Sequence, residues 1–336
     1  MGKSKSKKNS DKKKLEIMYG IPHCHTENST GVGSVRDALK YSKNKNIDFI
    51  IITDHNNPLK DTRKHKDSSL SKWEYSMKQI NKFNKKQSNF IGILGFEFTF
   101  KPYGHFNVFA SDKFFTGYIQ DVKKILLWSS VNNPIIAINH PGKNVEKLPY
   151  DSTLNNYMCL IEVGNGLYPS KTYNRYEKRY YSLLDKGWML GAINGQDNHK
   201  MNFGDSENLT AVLVHKKDKR NLLESLRKRH TYSTESKSLK VHFYINKSLM
   251  GDILYCNGEE PLNFSIYAED EYNKIVKIQV ITSKGSKIKD IDFPPQKQIK
   301  YFFSIPFNED EKWYVIKIIL NNGATALTSP IFINIK

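Results

Sequence analysis

The sequence predicts a parallel α/β architecture, most economically a barrel, followed by a small β-sandwich. Three observations carry this. Short apolar runs alternate with helical segments from residue 15 to about 235. Those runs end in histidines and carboxylates rather than in turn residues alone. From Lys240 onward helical patterning stops and alternating strands take over.

Leu15 to Ile21 reads as a short strand leading into His23-Cys24-His25. Alternate side chains of an extended chain share a face, so both imidazoles point one way while Cys24 turns into the packing. Ser34 caps a helix running to about Lys45. Ile47 to Ile52 is a continuous apolar run, the pattern of a buried parallel strand, and it ends in Thr53-Asp54-His55. Residues 60 to 88 read as polar helix, with Trp73, Met77, Ile80 and Phe83 at core spacing. Phe90 to Leu94 leads to Gly95-Phe96-Glu97, and Gly104 to Phe109 is a strand that carries His105. A helix around Asp121 to Trp128 precedes the strand Ile135 to Ile138, which ends in Asn139-His140-Pro141. Leu160 to Val163 is followed by a tyrosine-rich helix over about 172 to 186. The strand Trp188 to Ala192 runs into Asp197-Asn198-His199, and Thr210 to Val214 and Lys217 to Arg229 supply a last strand and helix. Six or seven strands after Ser236 predict an Ig-like sandwich over 236–336. The division expected is therefore a disordered basic tail over 1–14, a barrel over 15–235 and the sandwich.

Lys+Arg of 52 against Asp+Glu of 34 leaves a formal net charge of +18, which suits anionic partners and permits nucleic acid. A third of that excess sits in the first fourteen residues, with seven Lys against one Asp, and a Lys/Asn/Ile-rich composition throughout spreads the rest, so the charge does not demand such a partner. Three widely spaced cysteines, Cys24, Cys159 and Cys256, speak against a disulfide framework and for a reducing, cytoplasmic compartment. No apolar stretch reaches membrane-spanning length. Oligomeric state is not legible.

Reading the strand ends together collects one chemistry: His23 and His25, then His55, Glu97, His140, and Asp197 with His199, with His105 on the strand after Glu97. Of the seven histidines before residue 200 only His65, in a charged run, stands outside the set. Buried imidazoles and carboxylates need partners to offset desolvation, and divalent cations supply them. The ordered motifs His-x-His-Thr, Thr-Asp-His, Gly-x-Glu, Gly-His, Asn-His-Pro and Asp-x-His resemble those of the polymerase and histidinol phosphatase (PHP) superfamily of metallohydrolases, over about residues 18 to 230. The resemblance implies a distorted seven-stranded (β/α) barrel holding two or three divalent ions. It assigns His23, His25, Glu97 and Asp197 to the first ion. It lets Glu97 bridge to a second held also by His105 and His140, and gives His55 and His199 to a third. The short Glu97-to-His105 spacing, Met250-Gly251-Asp252 and the run Leu327 to Ile331 are similar to the CehA/McbA branch, which includes hydrolases of esters and carbamates. One departure stands out: many relatives place an Asp or His ligand where this chain has Thr30, which puts the third ion in question.

Mixed His/carboxylate ligation suits Mn²⁺, Fe²⁺ or Zn²⁺. Two such ions about 3.5–4 Å apart would share a water and present hydroxide to an electrophile. The expected activity is thus a metal-dependent phosphoesterase acting on a small phosphorylated substrate. Glu97 fixes the ion separation and Asp197 is a ligand; no residue is a committed acid for the leaving group, and His199 or a metal-activated water would serve if the third site is empty. Lys143 and Arg175, which follow strand ends, are the candidate contacts to an anionic substrate. Alternatives are a nuclease or oligonucleotide phosphodiesterase, with Tyr173, Tyr176, Tyr180 and Tyr181 stacking on bases, and a carboxylic or carbamate ester hydrolase. An alternative of another class is a binding or scaffold protein stabilised by its metal.

Overall fold

A computed structural model describes residues 15–65 and 68–335. The basic segment 1–14 lies outside the described residues, as does the side chain of His65. The architecture is mixed α/β, with many strands and five α-helices among the described residues. None of these helices is long and apolar enough to cross a membrane.

The central strands follow from their composition. Phe49–Ile52 is buried at every position and pairs in parallel with both Glu16–Ile21 and Ile91–Leu94. Helix Val35–Asn44 starts where Ser34 accepts from Asp37 N and the Asp37 carboxylate returns the bond, and Ser71 and Glu74 do the same for Lys72–Asn84. The second helix is shorter than the polar pattern suggests. Thr62–His65 and Ser68–Ser71 pair as a hairpin ahead of it, because Ser71 caps the helix at that point. The tyrosine-rich helix is likewise Glu177–Asp185, since Asn174 and Arg175 are drawn into backbone pairing with Asn165 and Gly164.

Two sheets face the candidate site. One carries Met158–Asn165 at its centre, flanked in parallel by Ile135–Ile138 and Gly191–Gly195, and continues through Gly104–Phe109 to Phe96–Phe100. The other is eleven-stranded among the described residues and does not stop near residue 235. Thr231–Thr234 pairs on one side with Leu209–Val214 and on the other with Thr325–Thr328, with Tyr232 opposite Thr328. A third, four-stranded sheet orders Ser248–Leu249, Lys240–Ile245, Leu262–Glu269 and Gln298–Ile305.

The cores are shared as well. Trp313, Val315, Leu327 and Phe332 belong to the apolar cluster that contains Ile21, Ile50 and Phe96, while Ala211, Leu213 and Tyr232 pack with the C-terminal strands. Ser329 Oγ accepts from Ala192 N at 3.0 Å and lies 2.9 Å from Thr231 Oγ1, which donates to Ala192 O. The C-terminal strands therefore brace Gly191–Gly195 from outside. The two tail segments singled out in the sequence also meet, because Gly251 N donates to Pro330 O at 2.6 Å.

Candidate metal centre

The strand ends converge. Beyond Ile21 and Gly195 the chain stays paired, with His25 N on Asn198 O at 2.9 Å and Asp197 N on His23 O at 3.0 Å. Asn56 N donates to Glu97 O and Glu97 N to Asp54 O, which sets His55 beside Glu97. His140 and Asp197 sit at φ 25° and 51°, in the left-handed region that side chains other than Asn, Asp and glycine rarely adopt. Such backbone geometry concentrates at functional sites, where the surroundings over-determine it.

Glu97 lies at the middle. Its Oε1 is 3.5 Å from His23 Nε2, 3.3 Å from His105 Nδ1 and 3.4 Å from His140 Nε2. Its Oε2 is 3.4 Å from His25 Nε2 and 3.1 Å from His55 Nδ1. Asp197 Oδ1 approaches His23 and His25 at 3.3 and 3.2 Å, and His199 Nδ1 at 3.7 Å. Ligand atoms about 2.1 Å from one tetrahedral ion stand about 3.4 Å apart, so this spacing is that of a shared centre. Four overlapping sets could each hold a cation: His23, His25 and Glu97; His23, His140 and Asp197; Glu97, His105 and His140; and His25, Asp197 and His199. His55 joins none of these sets among the described residues, and its link is to Glu97.

The electrostatics ask for positive charge. Burial alone would raise the Glu97 carboxyl, but His23, His105 and His140 hold it well below the usual carboxylate range. Burial likewise opposes ionisation of Asp197, and His23 and His25 overcome it. At His23 burial works against protonation, yet Asp197, Glu162 and Glu97 together raise its pKa well above the usual value. The His25 pKa is lowered, by burial first.

Sequence reasoning missed Glu162. Fully buried within Met158–Asn165, it accepts from His23 Nδ1 at 2.8 Å, His140 N at 2.7 Å and Asn165 Nδ2 at 2.8 Å. It thereby fixes which nitrogen His23 presents to the centre. The signal was a lone carboxylate inside a buried apolar run, Leu160-Ile161-Glu162-Val163. Asn139 is a second omission, donating to Glu97 Oε1 at 2.9 Å. Asp54 accepts from Thr26 N, Thr26 Oγ1 and Ser29 Oγ. Ser29 in turn lies 3.4 Å from His25 Nδ1, so Asp54 supports His25. Thr30 is exposed in the following turn. Cys24 is buried, with its thiol directed to Ile51 O and away from the centre. Lys143 is exposed just past Pro141-Gly142. Arg175 is held by Glu177, Glu235 and Tyr173 in a largely buried network.

A solved two-domain protein from Bacteroides vulgatus, described as containing a predicted PHP-like metal-dependent phosphoesterase, superposes with a TM-score of 0.51 at 18% identity, covering 92% of this chain and 91% of that one. The fold is PHP-like. A candidate metal-dependent phosphoesterase from Bifidobacterium adolescentis matches with a TM-score of 0.38 at 12% identity, over 55% of this chain and 91% of its own. An amidohydrolase from Chromobacterium violaceum matches with a TM-score of 0.37 at 10% identity, over 54% and 87%. No family model and no curated protein matches the chain. Most of the ligand-type residues lie just beyond strand ends of the two facing sheets, while Glu97 and His105 are second in Phe96–Phe100 and Gly104–Phe109.

Proposed function

We propose that this chain is a metal-dependent hydrolase, and more narrowly a phosphoesterase acting on a small phosphorylated molecule. The observation that carries the reading is the convergence of six imidazoles on Glu97 and Asp197 at spacings of 3.1 to 3.7 Å. The donor set fits Mn²⁺, Fe²⁺ or Zn²⁺, all of which accept mixed nitrogen and oxygen ligands. His23, His25, Glu97 and Asp197 would hold one ion and Glu97, His105 and His140 a second; the resemblance gives His55 and His199 to a third. Divalent ions bound there would supply an acidified water and draw off charge developing on a substrate oxygen. The protein's own part is positional. Glu162 keeps His23 in one tautomer, Asn139 holds one Glu97 oxygen, and Asp54 supports His25 through Ser29.

A purely structural site would be closed. Here the His105 and His199 side chains are 38% and 42% exposed, while His23 and His25 are buried, so the cluster has a floor and an open mouth. That asymmetry supports turnover over a scaffold role. Base stacking has less support. Tyr180 donates to Leu190 O, Tyr181 stacks on Trp313 and Tyr173 binds Glu235, so three of the four tyrosines are committed to packing.

Assaying p-nitrophenyl phosphate and bis(p-nitrophenyl) phosphate with added Mn²⁺ tests the reading. Manganese-dependent turnover is expected in the wild type, with loss of at least about 10²-fold in His23→Ala and Asp197→Ala. Wild-type turnover in either variant rejects the site, and absence of turnover on both esters rejects the phosphoesterase assignment.

A further inference from the structure

Asn107 is fully buried, and neither its Oδ1 nor its Nδ2 meets a hydrogen-bond partner among the described residues. A primary amide in that condition is costly, because both ends give up their bonds to water on folding. Its place in the sheet is specific. Within Gly104–Phe109 it stands directly opposite Glu97 on one side and Ala137 on the other. Opposed residues of an antiparallel pair share a face, with Cβ atoms about 4.5–5.5 Å apart. The neighbouring side chains agree. Phe106 and Val108 join the apolar cluster of Ile138 and Ile161, whereas Phe109 joins a different one with Ile135, Ala137 and Leu160. The strand therefore alternates, and Asn107 lies on the same face as Glu97 and as His105, two residues along.

Asn139 supplies the complement. Its Nδ2 donates to Glu97 Oε1 at 2.9 Å, since an ionised carboxylate can only accept. Its Oδ1, the other end of the amide, is buried and also has no partner among the described residues. Asn139 N donates to His105 O at 3.0 Å, so Asn139 follows the Asn107–Ala137 pair by one step on that face. A buried donor, Asn107 Nδ2, and a buried acceptor, Asn139 Oδ1, thus stand diagonally across two adjacent strands, about 7 Å apart at Cβ. Ala137, the residue between them, brings only a methyl group to the space. The two atoms do not bond each other. A water accepting from one and donating to the other joins them with two ordinary hydrogen bonds.

We propose that Asn107 and Asn139 hold an ordered water beside Glu97, and that through it Asn107 is a positioning residue for that carboxylate. The chain runs from Asn107 Nδ2 to the water, from the water to Asn139 Oδ1, and from Asn139 Nδ2 to Glu97 Oε1. It keeps the Asn139 amide from turning over, so its donor end already faces Glu97 when a cation binds. The inference rests on the metal-centre part of the reading above and not on which ester is hydrolysed.

Crystals of the full chain that resolve waters should show one within hydrogen-bond reach of both amides, and its absence there overturns the site. The positioning role is read from Mn²⁺ affinity by competition with a chelating dye, which needs no turnover. Asn107→Leu keeps the size, removes the donor and should weaken binding about tenfold, the low end for a group that supports a metal ligand. Asn107→Ser retains a donor and should stay within about threefold of wild type. In an Asn139→Ala background the leucine substitution should cost less than about twofold, because the link it breaks is already gone. Equal losses in both backgrounds mark Asn107 as packing alone and overturn the role. Wild-type affinity in Asn107→Leu overturns it too, as does a serine variant no better than the leucine one. If the leucine variant does not fold, Asn107→Val serves in the same comparison. Failure of the wild type to bind Mn²⁺ is a separate result: it rejects the metal centre, and the positioning role falls with it, while the crystals still decide the water.

Discussion

Glu162 shows how much of a site can rest on one side chain that touches no substrate. Its two oxygens serve His23 Nδ1, His140 N and Asn165 Nδ2, and a Cβ at Gly195 would stand 1.8 Å from Oε1, so only glycine there admits it. Replacing Glu162 with glutamine keeps the shape while removing the charge that settles the His23 tautomer. Affinity for Mn²⁺ or Zn²⁺ should fall about 10- to 100-fold, read by competition with a chelating dye, with little change in secondary structure. Unchanged affinity would reduce Glu162 to packing. The histidine pairs were legible because a spacing of two in an extended segment puts both rings on one face. Glu162 was not, because an acid inside an apolar run carries no period and its partners are distant in sequence. Arg175 shows the reverse case. A cation after a strand end looks available to an anion until Glu177 and Glu235 are found on it.

At the scale of elements, the turn Asn174–Arg175 and helix Glu177–Asp185 are tied to the C-terminal strands by charge. Arg175 contacts Glu177 and Glu235, Lys317 reaches Glu177 from Trp313–Leu320, and Glu235 also accepts from Thr325 N. Breaking a buried pair leaves its partner uncompensated, so Arg175→Ala should cost about 3–5 kcal/mol in urea denaturation. A loss below about 1 kcal/mol would mean the network behaves as a surface pair. The pH dependence has a definite sign. Burial opposes ionisation of Glu177, but Arg175 and Lys317 hold its pKa below the ordinary 4.5. Its contribution is therefore present above that value and is lost as pH falls through the folded pKa. The stability gap between wild type and Glu177→Gln should narrow on titrating from pH 6 toward 3, and a widening gap would contradict the ion pairing. Helix lengths were the least legible features at this scale. Apolar spacing marks the buried face of Lys72–Asn84, whereas its start is set by the Ser71 cap and the hairpin before it.

For the whole molecule, the change of texture near Ser236 is real in sequence, since strands replace helices there. Yet hydrogen bonding and packing run straight across it. Thr231–Thr234 gains one neighbour from each side of that point, and Trp313, Leu327 and Phe332 complete a core begun by Ile21 and Ile50. Composition registers a change of element type but is blind to which edges later pair. A chain ending at residue 235 would expose the Thr231–Thr234 edge and strip apolar cover from that core. It should be insoluble or lack a cooperative thermal transition by calorimetry, whereas the full chain should melt as one unit. Soluble, cooperative unfolding of the fragment would show that the N-terminal part stands alone.

The Ser329 hydroxyl against Ala192 and Thr231 carries this coupling up to the ligands, because Gly191–Gly195 is the strand that delivers Asp197. A recombination event that exchanged the C-terminal strands for a foreign sandwich would strand the Ala192 amide and slacken the approach to that carboxylate. The two halves are thus expected to be inherited as one piece. Drift far out in the tail then becomes a way to reshape the candidate metal centre while every residue of that cluster stays the same.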